Sequence, residues 1–257
     1  MTTRTPVVGG NWKMHTTRDE AVELAGAVAS GAGSALDACE VVVCPPFPYL
    51  AAVAEVLTDS QVRLGAQNAH PAPQGAFTGE VSMGMLRDVD VDVVIIGHSE
   101  RRHVMGETDP FINEKVQAAL VGDLDVILCV GETREQRAAG DTDNVVVGQL
   151  EKGLAGITSP LLDRIVIAYE PVWAIGTGDT ATPADAEAVH AVLRRSLEKT
   201  YDAASAEAMR IQYGGSVKPG NAAELIAQPN IDGFLVGGAS LAGNDFLAII
   251  RAAAGAA

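Results

Sequence analysis

Eight short runs of mostly β-branched and aliphatic residues recur along the chain. They are PVVGG at 6–10, EVVVC at 40–44, VRLGA at 62–66, DVVIIG at 92–97, DVILCVG at 125–131, RIVIAYE at 164–170, RIQYGG at 210–215 and DGFLVGG at 232–238. Most are continuously apolar rather than alternating, the mark of parallel strands buried on both faces. Helix signals fall between them. Residues 17–30 set Val22, Leu24 and Val28 among alanines and acids. Asp109-Pro110 is expected to cap and open a helix through Leu120, Thr182-Pro183 another to about Tyr201, and Lys218-Pro219 a shorter one. Strand and helix alternate along the whole length with no linker, so 1–257 is expected to form one α/β domain. Its architecture would be a closed (β/α)8 barrel, with eight parallel strands inside an outer ring of helices. A doubly wound open sheet is the alternative, but it would usually need fewer strands or a second domain.

Composition narrows the partners. A length of 257 residues suits one barrel, and 47% hydrophobic against 20% charged residues excludes disorder. Eighteen basic against 33 acidic residues give a net charge of -15, which argues against nucleic acid or an anionic membrane as partner. No uninterrupted apolar stretch of about 20 residues spans a bilayer. Cys39, Cys44 and Cys129 are odd in number and form no C-x-x-C pair, so buried reduced thiols are expected rather than a disulfide framework or a zinc knuckle. MTTRTPVVGGNWK has no apolar core of a secretory signal. A cytoplasmic enzyme is the expectation.

In such a barrel the chemistry sits where strands end and helices begin. Asn11, Trp12 and Lys13 follow the first run, His98, Ser99 and Glu100 the fourth, and Glu170 the sixth. Gly214 to Ser216 follow the seventh and Gly237-Gly238 the eighth. The opposite ends of the runs show mostly Asp, Arg and Glu, expected to be solvated charge. Lys13 could be a plain loop lysine, but an anion bound to so acidic a protein needs a local cation. His98 could be a hydrogen-bonded strand-end histidine or an acid-base group. G-H-S-E-R only approaches the nucleophile-elbow pattern, since Arg101 stands where glycine is required, so Ser99 ranks below His98. His98 and His103 lack the helical spacing of a metal pair, and no metal is expected.

Glu170 is expected beside Tyr169 and Trp173, where partial desolvation would raise its pKa toward that of a general base. Pro171, Val172, Trp173, Ala174, Ile175, Gly176, Thr177 and Gly178 form an apolar loop with a stiff and a flexible end, which suggests a lid. G-x-G-x-x-A at 176–181 lies too far past the strand for a dinucleotide turn, and no cofactor is expected. Glycines after strands 7 and 8 occupy the usual phosphate position of this fold. The long loop at 67–80 with Phe77 and Thr78 suggests a subunit contact. Together a carboxylate, an imidazole, an ammonium group and a phosphate cradle suit proton abstraction next to a carbonyl in a small phosphorylated sugar. An aldolase using Lys13 in a Schiff base and a barrel that binds without turnover are the alternatives.

The runs GGNWKM (9–14), CPPFPYL (44–50), GAFTGE (75–80), IIGHSERR (95–102), ILCVGET (127–133), AYEPVWAIGTG (168–178), QYGGSVKPGN (212–221) and GFLVGGASL (233–241) resemble the triosephosphate isomerase family from end to end. The resemblance implies a TIM barrel that interconverts dihydroxyacetone phosphate and glyceraldehyde 3-phosphate without a cofactor, in glycolysis and gluconeogenesis. A glutamate base working with a neutral histidine is this family's own established pairing, and it is carried over here onto Glu170 and His98. The resemblance further implies that a helix N-terminus keeps His98 uncharged. Lys13 would stabilise the enediolate, Asn11 add a donor and Glu100 fix Lys13. Phosphate would rest on backbone N–H groups of Gly176, Ser216, Gly237 and Gly238. It also implies a homodimer in which the loop around Phe77 and Thr78 lies beside the neighbour's Met14 and Lys13, and a structural Cys129. His15 stands where many relatives have asparagine, and the acidic surface is unusual in degree.

Overall fold

The computed structural model describes residues 4–174 and 181–255. Among them, eight strands pair in sequence order and all in parallel: β1 (Val7–Asn11), β2 (Glu40–Cys44), β3 (Arg63–Ala66), β4 (Val93–Ile96), β5 (Asp125–Val130), β6 (Ile165–Tyr169), β7 (Arg210–Tyr213) and β8 (Gly233–Val236). The ring closes where Val7 of β1 pairs with both Glu40 of β2 and Gly233 of β8. All eight apolar runs are strands, and the closed ring excludes the open doubly wound sheet.

Strand pleat explains why the runs are continuously apolar. Successive side chains point to opposite faces, and here both faces are dry. Val42 and Cys44 of β2 fill the barrel with Val7, Val93, Ile95, Ile127 and Cys129. Val41 and Val43 of the same strand pack outward under the helices with Val8, Val94 and Ile96. The half-buried strand residues are all first residues: Glu40, Arg63, Asp125 and Arg210. They correct the expectation of solvated charge at this pole. Arg63 contacts Glu40 and reaches Asp125 at 2.6 Å, while Arg210 reaches Glu40 at 2.6 Å. This end of the barrel is thus lined by charges that satisfy one another.

The helices are α1 (Arg18–Ala32), α2 (Leu50–Leu57), α3 (Met83–Arg87), α4 (Ser99–His103), α5 (Asp109–Val121), α6 (Arg134–Ala138), α7 (Thr142–Gly153), α8 (Pro183–Thr200), α9 (Ala203–Ala208), α10 (Ala222–Ile226) and α11 (Gly243–Ala254). Reciprocal capping boxes, Thr17 with Glu20 and Thr182 with Asp185, start α1 and α8. Two starts differ from expectation. Thr108, not Asp109, is the cap residue of α5, because the Asp109 carboxylate is drawn to Arg102 at 2.6 Å and Lys152 at 3.2 Å. After Lys218-Pro219 the chain first makes a turn, and α10 begins only at Ala222. No helix of the described residues is long and apolar enough to cross a membrane.

Candidate active site

At the pole where the strands end, Asn11, Lys13, His98, Glu170, Ser216, Gly237 and Gly238 line one cavity of 370 Å³. That volume suits a small-molecule guest. Closure of the ring brings together residues that stand as far apart in sequence as Asn11 and Gly238.

Lys13 has a left-handed backbone, with φ of 53°, a conformation that disfavours a side chain by roughly 1–2 kcal/mol. Its backbone is held on both sides. Its N–H donates to Asn11 Oδ1 at 3.0 Å, and its carbonyl accepts from Gln67 Nε2 at 2.8 Å. Gln67 also donates to the carbonyl of Cys44 at 2.9 Å, tying the end of β2 to the same point. The ammonium group is aimed by Glu100, with Nζ 2.6 Å from Oε1.

His98 is the cap residue of α4, and its Nδ1 accepts the N–H of Glu100 at 3.3 Å. That bond needs an unprotonated Nδ1, so the hydrogen sits on Nε2, which lies 2.9 Å from Glu170 Oε1. Glu170 is only 2% exposed. Its other oxygen accepts the N–H of Ser99 at 2.9 Å. This surrounding corrects the expectation for its pKa. Burial does push the carboxyl upward, but His98, the Ser99 N–H and Lys13 outweigh it and hold Glu170 below the usual carboxylate range. Burial pulls His98 down, and the facing Glu170 carboxylate more than reverses that. Glycine is required around this carboxylate: a Cβ on Gly131 would collide with the Glu170 carbonyl, and one on Gly214 would lie 2.9 Å from Glu170 Cγ. Gly214 is thus a close-approach position and not a phosphate donor, since its N–H already donates to Tyr169 O at 2.7 Å.

The N–H groups of Ser216, Gly237 and Gly238 donate to no other described residue. All three residues line the cavity, and backbone N–H groups without a partner can take an anion. Gly176, the fourth expected donor, lies outside the described residues, as do Ile175, Thr177 and Gly178 of the expected lid. Pro171, Val172, Trp173 and Ala174 are described, and they are buried or half-buried. Val172–Ala174 forms a 3-10 turn whose Ala174 is buried. Trp173 Nε1 donates to Glu132 Oε1 at 2.8 Å, Tyr169 Oη reaches the same oxygen at 3.1 Å, and the Arg137 guanidinium lies 4.3 Å from the indole centre. Beside this turn the Tyr213 hydroxyl is buried and meets no partner among the described residues.

The loop after β3 stands out from the barrel. Phe77 stacks on His70 at 4.1 Å between ring centres, and Thr78 is exposed. Met14 is 93% exposed. A second cavity, of 300 Å³, adjoins the first and is lined by Met14, Gln67, Glu100 and Met105. Cys39, Cys44 and Cys129 are buried and unpaired, and burial pushes the Cys39 and Cys44 thiols up to about 12.

The order and spacing of these residues match a known pattern. The family model described as triosephosphate isomerase matches residues 6–253. The chain belongs to the triosephosphate isomerase family. It is 54% identical over 248 residues to the triosephosphate isomerase of Chloroflexus aurantiacus, covering 96% of this chain and 99% of that protein. It is 53% identical over 247 residues to the one of Rhodopirellula baltica, covering 96% and 97%. Against one from Chlorobium phaeobacteroides it is 52% identical over 250 residues, covering 97% and 99%.

Within this triosephosphate isomerase family chain, reading strand ends missed four contributors. Gln67 and Glu132 are the residues next but one or nearer after β3 and β5, and the same strand-end rule would have found both. The Ser99 backbone N–H, which holds Glu170, leaves no signal of residue type in the sequence, and Asn221, whose side-chain amide holds the Ser216 loop, stands too far past β7 for the strand-end rule.

Proposed function

We propose that this chain interconverts dihydroxyacetone phosphate and D-glyceraldehyde 3-phosphate by moving a proton between adjacent carbons, with the residue roles that follow. The observation that carries this is one cavity lined by a carboxylate, an imidazole, an ammonium group and three residues whose backbone N–H groups donate to no other described residue. Phosphate on the N–H groups of Ser216, Gly237 and Gly238 would lay a three-carbon chain across toward Glu170.

Glu170 takes the proton from C1 and returns it to C2. To do so it must leave Ser99 and His98. Leaving removes the contacts that lower its pKa, while the cavity wall still desolvates it, so its basicity rises as substrate binds. His98 loses the carboxylate that raises it, and Nε2–H becomes free to donate to the carbonyl oxygen where charge builds. A fixed donor at that oxygen contributes roughly 3–4 kcal/mol to the barrier. Lys13 balances the enediolate and phosphate charge, Asn11 offers its amide donor to the same side, and Glu100 orients Lys13. The lid closing from Pro171 excludes water from the intermediate.

We further propose that the chain acts as a homodimer in the cytoplasm. Exposed Phe77 and Thr78 on a protruding loop, and a 300 Å³ cavity beside Met14, fit as knob and socket between two copies. Three buried unpaired thiols fit a reducing compartment. A coupled assay of triose phosphate interconversion tests the activity. Trapping of a Lys13 adduct by borohydride with a ketose phosphate, without interconversion, would favour an aldolase instead.

A further inference from the structure

The loop after β7 carries a charge that the chemistry above leaves unused. Lys218 is exposed and lines the same cavity as Lys13, Glu170 and Ser216. Lys13 is matched to Glu100, whereas Lys218 forms no ion pair with any described residue. Its place is nonetheless fixed. Its N–H donates to Asn221 Oδ1 at 2.8 Å, and Asn221 Nδ2 donates to the carbonyl of Ser216 at 3.0 Å. Its own carbonyl accepts the N–H groups of Asn221 and Ala222, each at 3.1 Å. One asparagine side chain therefore holds both the residue that offers a free N–H to the cavity and the lysine two positions on.

The wider field makes this charge matter. With a net charge of -15 the protein repels a dianion. Of the fully charged groups lining the cavity, Lys13 is offset by Glu100, and Glu170 is itself negative. We propose that Lys218 is the cation that draws a phosphate dianion into the cavity, a specificity determinant held at the rim by Asn221. The inference rests on the phosphate reading of this cavity given above. Lys218 acts on capture and takes no part in the proton transfer, so it governs kcat/KM and leaves kcat alone. Its reach is set by the Debye length, about 10 Å at 0.1 M salt, so its effect fades as ionic strength rises.

The experiment compares the parent with Lys218→Gln and Lys218→Arg at low and high ionic strength. It uses triose phosphate and the phosphate-free substrate D-glyceraldehyde, and it measures inorganic phosphate binding by calorimetry. Lys218→Gln is expected to lower kcat/KM for triose phosphate about fivefold at low salt, with little difference at high salt and kcat unchanged. Phosphate affinity falls with it, Lys218→Arg restores both, and glyceraldehyde turnover does not change. A Lys218→Gln protein equal to the parent at low salt would overturn the proposal. So would an equal loss at both salt levels and on glyceraldehyde, which would mark damage to the loop. A parent that binds phosphate through Lys218 but does not interconvert triose phosphates would instead overturn the isomerase reading and leave the capture role standing.

Discussion

Gln67 holds Lys13 by its backbone: the amide Nε2 donates at 2.8 Å to the carbonyl of a lysine whose φ is 53°. With Asn11 Oδ1 on the other side at 3.0 Å, the left-handed turn that presents the ammonium group is gripped at both of its polar atoms. The strain of the turn, roughly 1–2 kcal/mol, is of the same size as these two bonds together, each contributing about 1 kcal/mol.

Gln67→Ala is therefore expected to raise KM several-fold with a smaller change in kcat, since Lys13 keeps its charge but loses its fixed place. Lys13→Met removes the charge as well and is expected to damage KM and kcat together. Steady-state kinetics of the two variants check this, and a Gln67→Ala enzyme with parental KM would show that Lys13 needs no such support.

Glu170→Gln keeps the shape of a buried side chain and removes its basicity. Its expected effect is a loss of turnover of about 10²- to 10⁴-fold, with thermal unfolding close to the parent. His98→Gln is expected to cost about 10²- to 10³-fold in kcat with little change in KM. Retention of parental kcat in either variant would remove that residue from the reaction.

The strands were legible because both strand faces are dry, which leaves unbroken runs such as VVVC at 41–44. The convergence of Lys13, His98 and Glu170 was legible only through the rule that barrel strands end at one pole. Three things were not legible. The Glu170 pKa depends on which neighbours its carboxylate faces, and Ser99 supplies a backbone N–H that residue type cannot reveal. The charges at the other pole looked solvated because single residues do not show pairing: Arg63 of β3 reaches Asp125 of β5 across the one intervening strand, β4. The one-residue displacement of the α5 cap came from Arg102 and Lys152, both outside the local window.

Trp173→Phe keeps the ring over which Arg137 lies and removes the 2.8 Å bond to buried Glu132. It is expected to destabilise the fold by about 1–2 kcal/mol and to lower kcat/KM by loosening the Val172–Ala174 turn that follows Glu170. Denaturant unfolding together with kinetics checks both, and an unchanged midpoint would show that Glu132 is satisfied without the indole.

His190 gives the acid limb of stability. Burial pulls its pKa down to about 3 from 6.5, so the fold holds it neutral while the unfolded chain binds a proton. Its contribution is complete above pH 6.5 and is lost as pH falls toward 3, by about 1.4 kcal/mol per pH unit. Stability of His190→Gln should fall less steeply with acid between those limits, as read from chemical denaturation at a series of pH values. A slope equal to the parent's would mean that His190 is not the group responsible.

The most direct measurement of the account's central claim is turnover of dihydroxyacetone phosphate in D2O, followed by NMR of the product carbons. A proton held on a carboxyl oxygen can exchange with solvent in part, whereas a hydride passed directly from carbon to carbon cannot, so the parent should place some deuterium at C2 of glyceraldehyde 3-phosphate, and Glu170→Gln should form neither product nor exchanged substrate at comparable rates. Product that carries no deuterium, or a Glu170→Gln enzyme that exchanges at the parental rate, would contradict it.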